Sequence, residues 1–366
     1  MIAFNLLRAL AIMGILVLSV LILVYGKPFL MPLTFAALLA MLVLPLARWC
    51  ERKGLSRGWS SLIPLLALLL TMALVGLFIG WQLSSLSENV SRMEQKLTEK
   101  YRQVQAFISK KAGIPPQKQQ QMIQQQRQQS PGKAAELISR VLTGAGSVLA
   151  SCLLVLVYIF LMLYFRRRLR RFLLRIVPGG EKGTALEILG NVQQVSQKYL
   201  GGLAMMIGAL WVMYSIGFSL VGLENALFFA VLCGLLEIIP FVGNLAGTML
   251  TLGFSLVQGG STDMVIGILA TYAVVQFIQS YLLEPLVVGA EVQLNPLFTI
   301  VGLIAGEQLW GIPGMVLAIP LLGIFKIVCD NVEVLKPYGY LLGEEQQESS
   351  ARKKIKEWLA RFKKKK

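Results

Sequence analysis

Histidine is absent from the 366-residue sequence. That removes histidine-based metal sites, imidazole proton relays and the serine–histidine triad together. Cysteine is scarce. Cys50, Cys152, Cys233 and Cys329 stand far apart, in or beside apolar stretches, and no CxxC pair suggests zinc or a disulfide framework. We read them as small buried apolar residues. No HExxH, GxSxG or phosphate-binding GxxxxGK[ST] pattern occurs, so neither an enzyme nor an ATP-driven pump is indicated, and no cofactor or metal is expected. Charge is also sparse, at 15% of residues against about 25% in a typical soluble domain. Hydrophobic residues make up 55%, and they come in long runs instead of alternating with polar ones. Runs near 9–25, 29–47, 59–83, 146–165 and 203–222, and others inside 225–257, 264–283 and 297–325, read as membrane segments. The expectation is an all-α integral membrane protein with about eight membrane segments, two of them interrupted, plus an extramembrane helical segment.

The scarce charge is unevenly placed. The net charge is +16, with Arg48, Arg52, Lys53 and Arg57 after the second run and Arg166, Arg167, Arg168, Arg170 and Arg171 after the fourth. Positive residues flanking spans stay on the cytoplasmic side. That puts both termini inside and the segment 87–145 outside. The N-terminal run lacks a small-residue cleavage pattern and is followed at once by another run, so it reads as a retained helix. In the outer segment Val90, Met93, Leu97, Val104 and Phe107 recur at helical spacing, and a glutamine-rich stretch, 117–129, follows. In the C-terminal tail Lys353, Lys354, Lys356 and Arg361 surround Trp358, a pattern suited to anionic lipid headgroups. A solvated basic tail fits as well. Nucleic acid is not the expected partner, because lipid lies adjacent. The organisation expected is 1–86 N-terminal membrane helices, 87–145 extracytoplasmic segment, 146–165 membrane helix, 166–200 basic cytoplasmic segment, 201–327 core with interrupted helices, and 328–366 basic cytoplasmic tail.

Between Lys198 and Lys326 there is no Lys or Arg, yet Glu224, Glu237, Asp263, Glu284, Glu291 and Glu307 all occur there. As one straight helix, 225–257 would be about 50 Å long, against a hydrocarbon core of about 30 Å. Its middle reads Glu237-Ile-Ile-Pro240-Phe-Val-Gly243-Asn244, and proline removes a backbone donor and clashes with the preceding turn. Two half-helices meeting at a break are the simplest solution. The stretch 297–325 repeats the layout, with Glu307 ahead of Gly311-Ile-Pro-Gly314, and Asn225 and Glu237 align with Asn295 and Glu307 at an offset of 70. Paired interrupted segments are the sequence pointer to a transporter binding site. Re-entrant hairpins would leave two crossings between Lys198 and Lys326, and single crossings would give four; hairpins are preferred. A buried carboxylate at this depth is either a hydrogen-bonded structural acid or a site for a proton or cation, and both readings stand. GxxxG spacings at Gly76/Gly80, Gly243/Gly247 and Gly302/Gly306 permit close helix approach.

At these residues the sequence resembles the AI-2E (autoinducer-2 exporter) family, also described as PerM-like permeases. The resemblance rests on Glu237-Ile-Ile-Pro240-Phe-Val-Gly243, on Gln276 leading to Glu284-Pro285-Leu-Val-Val-Gly289, on Val292-Gln-Leu-Asn295-Pro296-Leu297, and on Gly311-Ile-Pro-Gly314-Met315 with Ile319-Pro320. It implies a multi-pass protein of the bacterial cytoplasmic membrane, homo-oligomers, and export of small polar molecules, with proton or sodium coupling in some members. Many members carry an acid in the seventh helix where this chain has Gln279, so a coupling role resting on that acid is not carried over.

The expected function is a secondary transporter of a small polar solute. Glu237 and Glu307 would handle a proton or cation, Asn244 and Gln276 would bind the solute, and Pro240, Gly243, Pro285, Pro296, Gly311 and Gly314 would shape the breaks beside Glu284 and Asn295. A cation-selective pore and a non-transporting scaffold are the alternatives.

Overall fold

A computed structural model describes residues 2–88, 133–240, 242–257, 260–288 and 294–344. The outer segment's amphipathic and glutamine-rich stretches and the basic tail at 352–366 lie outside the described residues. Within them, every regular element is a helix, apart from one antiparallel bridge between Leu294 and Gly343. In chain order these are α1 (Ile2–Tyr25), α2 (Lys27–Arg52), α3 (Arg57–Glu88), α4 (Lys133–Ile176), α5 (Lys182–Leu220), α6 (Ala226–Leu236), α7 (Val242–Val257) and α8 (Thr262–Ile278). A π-helical segment (Gln279–Val288), α9 (Pro296–Trp310), α10 (Ile312–Asn331) and α11 (Lys336–Leu342) follow.

Each apolar run becomes a helix or a helical hairpin. Five helices, Lys27–Arg52, Arg57–Gln82, Lys182–Leu220, Thr262–Glu284 and Ile312–Asn331, are long and apolar enough to cross a membrane. The fourth run lies within α4, whose 44 residues span about 66 Å. The basic stretch that begins at Arg166 is therefore a continuation of α4 past its apolar part, answered across a short 3₁₀ turn (Gly179–Glu181) by the first turns of α5. Pro28, Pro296 and Pro313 sit in the first turns of α2, α9 and α10, where a missing N–H costs nothing. Ser261 caps α8 by accepting from the Met264 N–H at 3.2 Å.

Both interrupted segments turn back on themselves. In the first, Gly247 of α7 lies against Cys233 of α6, and the Phe229 and Phe254 rings meet at 4.6 Å. At the tip, a Cβ on Gly243 would overlap the Leu236 carbonyl. The arms, 11 and 16 residues, reach about 16 and 24 Å, each short of a core of about 30 Å. In the second, Gly306 of α9 and Gly314 of α10 approach backbone to backbone, and Gly302 meets Leu322. Gly311 turns the chain with φ +72°, a conformation that suits glycine. Two of the three GxxxG spacings thus serve hairpin closure. Gly76 and Gly80 have nothing near them among the described residues.

α5 and α8 run antiparallel, Gly217 against Thr271 and Val221 against Gly267, and the α6/α7 hairpin sits at the shared end. Tyr214, Phe218, Phe228, Phe229 and Ile268 form the main core there. The α9/α10 hairpin packs elsewhere, with Trp310 and Leu317 against Leu38 of α2, and the Trp310 indole donates to the Leu23 carbonyl at 2.9 Å. A third cluster joins Ala36, Ala40 and Ala47 of α2 to Ile159 and Leu163 of α4.

Candidate functional site

Polar residues from α5 to the π-helical segment converge at the tip of the α6/α7 hairpin. Tyr214 of α5, 1% exposed, donates to Asn244 Oδ1 at 3.0 Å. The Asn244 amide donates to Gln276 Oε1 on α8, and Gln276 Nε2 donates to Ser280 Oγ at 3.1 Å. Beside this chain, Gln279 Nε2 donates to Glu237 Oε1 at 2.6 Å. Glu284, on the π-helical segment, lies within electrostatic range of Glu237 and within reach of Gln279. Side chains from α5, the hairpin tip, α8 and the π-helical segment therefore meet at one amide–carboxylate cluster. The π-helical geometry at Gln279–Val288 is the kind of helix irregularity found at functional sites, and Pro285 cannot donate to a regular ladder there.

α7 extends the cluster. Asn244, Thr248, Thr251 and Ser255 recur at intervals of four, three and four residues, and all are buried, while Val242, Leu245, Met249, Leu250 and Leu256 face outward. This is the reverse of a soluble amphipathic helix: the apolar side faces outward, and the polar stripe looks into the protein. Thr251 is accounted for, donating to the Gly247 carbonyl at 2.8 Å and lying 3.6 Å from Cys233 Sγ. The Thr248 and Ser255 hydroxyls and Gln279 Oε1 are buried with no hydrogen-bond partner among the described residues. Such groups are rare in folded proteins, because each costs about 1–3 kcal/mol of desolvation.

The residues expected at the site divide between two places. Glu237, Pro240, Gly243, Asn244, Gln276 and Glu284 lie at or near the first hairpin tip, and Pro285 lies in the π-helical segment beside it. Glu307 belongs to the second hairpin. It is exposed in the last turn of α9, where Gln308 Nε2 donates to it at 3.1 Å. Asn295 caps α9 by accepting from the Leu297 N–H at 2.9 Å, with Pro296 opening the helix. Gly311 and Gly314 make the second turn. The offset of 70 thus recurs as a shared layout, since α6 begins at Ala226 and α9 at Pro296, without bringing the two acids into one cluster. The sequence reading left out Tyr214, Thr248, Thr251 and Ser255. The α7 stripe had a signal, polar residues at helical spacing within an apolar run. Tyr214 had none, being one aromatic residue in an apolar helix.

The AI-2E family transporter model matches residues 12–333. The chain belongs to the AI-2E transporter family. Among its relatives, the "Putative permease PerM" of Escherichia coli (strain K12) is 29% identical over 344 residues, covering 88% of this chain and 92% of the relative. The "Putative transport protein YrrI" of Bacillus subtilis (strain 168) is 24% identical over 316 residues, 82% of this chain and 86% of its own length. The "Putative transport protein YhhT" of Escherichia coli (strain K12) is 24% identical, with 87% and 88% covered. With the long apolar helices, this makes the protein a multi-pass integral membrane protein and a membrane transporter of the AI-2E family. The match spans both hairpins and the cluster at Glu237.

Proposed function

We propose that this AI-2E family member is a secondary transporter that exports a small polar solute across the bacterial cytoplasmic membrane along the α7 stripe, coupled to a proton or sodium gradient. The observation that carries the reading is three buried hydrogen-bonding groups with no partner among the described residues, Thr248 Oγ1, Ser255 Oγ and Gln279 Oε1. Thr248 lies about one helical turn from Asn244 and Gln279 about one turn from Gln276, with Ser255 farther along α7. From Asn244 to Ser255 the stripe covers about 16 Å, roughly half of a hydrocarbon core. A solute with several hydroxyl or carbonyl groups would replace those missing partners, and an apolar one would not. Coupling falls to Glu237, with Glu284 beside it and Gln279 touching both, because a carboxylate at membrane depth is stable only when protonated, paired or cation-bound. Glu307, exposed on the other hairpin, takes no part in this site. The inner part of the cluster is closed in this conformation, with Asn244 7% and Gln279 1% exposed, while Ser280 and Glu284 are exposed at its edge. Transport therefore requires the α6/α7 hairpin to shift against α5 and α8.

The test is uptake and efflux of a panel of small polar solutes in proteoliposomes under imposed proton or sodium gradients. The wild type should give saturable, gradient-dependent flux. Glu237→Gln, which keeps the shape and removes the charge, should lose the gradient dependence. Gradient-dependent flux that is unchanged in Glu237→Gln contradicts the coupling role.

A further inference from the structure

A second feature lies away from the polar cluster and shares none of its residues. The end of α2, the basic continuation of α4 and the first turns of α5 enclose a cavity of about 1190 Å³. Four guanidinium groups line it, from Arg48, Arg166, Arg167 and Arg170, against one carboxylate, Glu51. Glu51 is committed to Arg166 and, at 3.4 Å, to Arg167. Arg48 donates to a neutral amide, Gln193 Oε1, at 2.8 Å, and has no acidic partner among the described residues. Arg170 has no acidic partner among the described residues. The floor is fixed by Gln197, which donates to the Met41 carbonyl at 2.8 Å.

The cationic cavity adjoins an apolar groove. A second, almost wholly apolar groove of about 490 Å³ shares Met162, Leu169 and Phe172 with the first and continues past Leu33 and Tyr158. An excess of arginine at one end and an apolar trough at the other match a molecule with an anionic head and a hydrocarbon tail. Guanidinium groups bind phosphate oxygens in paired hydrogen bonds. Basic pockets between membrane helices at the headgroup level suit anionic lipids. A free phosphate would leave the apolar groove unused, and a zwitterionic lipid would leave the surplus positive charge uncompensated.

We infer that this groove binds one anionic phospholipid, its phosphate among Arg48, Arg166, Arg167 and Arg170 and an acyl chain along Leu169 and Phe172. The lipid joins α2 to α4 and α5 and braces the frame against which the hairpins move. The inference rests on the membrane reading of the chain and is independent of the solute path.

The experiment is lipid retention by the full-length protein purified from mixed micelles of phosphatidylglycerol and phosphatidylcholine, counted by native mass spectrometry. The wild type should keep phosphatidylglycerol in preference to phosphatidylcholine. The double variant Arg48→Gln/Arg170→Gln, which spares the Glu51 ion pairs, should reduce that preference about tenfold, as expected for the loss of charge-assisted contacts. Arg175→Gln, which removes one positive charge outside the groove, should leave it unchanged. Equal retention of both lipids by the wild type overturns the proposal, as does an unaltered preference in the double variant. Displacement of the lipid by glycerol phosphate would mark a free-phosphate site and overturns it too. If the double variant does not fold, Phe172→Trp gives a second reading. Its fluorescence should be quenched by brominated phosphatidylglycerol more than by brominated phosphatidylcholine, and equal quenching contradicts the assignment.

Discussion

Glu237 and Thr248 sit close in sequence and differ in what the protein does for them. Glu237 has a protein donor, Gln279 at 2.6 Å, so removing that donor strands a carboxylate. Gln279→Leu should lower the melting temperature in detergent, but by less than the roughly 2 kcal/mol of a hydrogen bond to a charged group, because it also removes the unpartnered Gln279 Oε1. Thr248 has no partner among the described residues, so Thr248→Val should leave the melting temperature unchanged or raise it while flux falls. A drop in stability with normal flux would make Thr248 an ordinary packing residue. Asn244, Gln276 and Glu237 were legible in the sequence because polar side chains inside charge-poor runs need a reason to be there. Tyr214 was not, because its role depends on the packing of α5 against a hairpin whose register no local pattern specifies.

The two hairpins were legible as elements for an arithmetical reason. A stretch too long for the membrane, broken by Glu-x-x-Pro or by Gly-x-Pro-Gly, has few ways to satisfy its backbone. How the arms approach each other was less legible, since Gly243/Gly247 and Gly302/Gly306 look the same on the page as Gly76/Gly80. The structure separates them. A Cβ on Gly314 would overlap the Gly306 carbonyl, whereas a Cβ on Gly76 would meet nothing among the described residues. Gly314→Ala should therefore destabilise the protein by about 1–3 kcal/mol through overpacking. Gly76→Ala should be neutral or stabilise it by up to about 1 kcal/mol, the ordinary gain of replacing glycine within a helix. Thermal unfolding of the two variants in the same detergent checks both. The continuity of α4 through its arginines was not legible either, because the apolar run ends at Phe165 while the helix continues to Ile176.

For the whole molecule, the number of crossings follows from how the elements meet. α5 and α8 are antiparallel, the first hairpin returns to the end from which it starts, and Leu294 pairs with Gly343. Glu224 and Asp263 should then lie on one side of the membrane, and Lys53 and Glu333 on the other. Single cysteines at these four positions, in a background lacking Cys50, Cys152, Cys233 and Cys329, should label with a membrane-impermeant maleimide in those two pairs. Labelling of Glu224→Cys and Asp263→Cys from opposite sides contradicts the hairpin. Charge placement in the sequence predicts which pair is cytoplasmic, and the same labelling reads it.

The proposed transport route makes the buried face of α7 a polar path and its outer face a lipid contact. In the same cysteine-free background, Thr248→Cys and Ser255→Cys should react with a small water-soluble methanethiosulfonate reagent, and Met249→Cys and Leu250→Cys should not. Reaction at all four positions alike, or inertness of the first two under conditions that support flux, would contradict it.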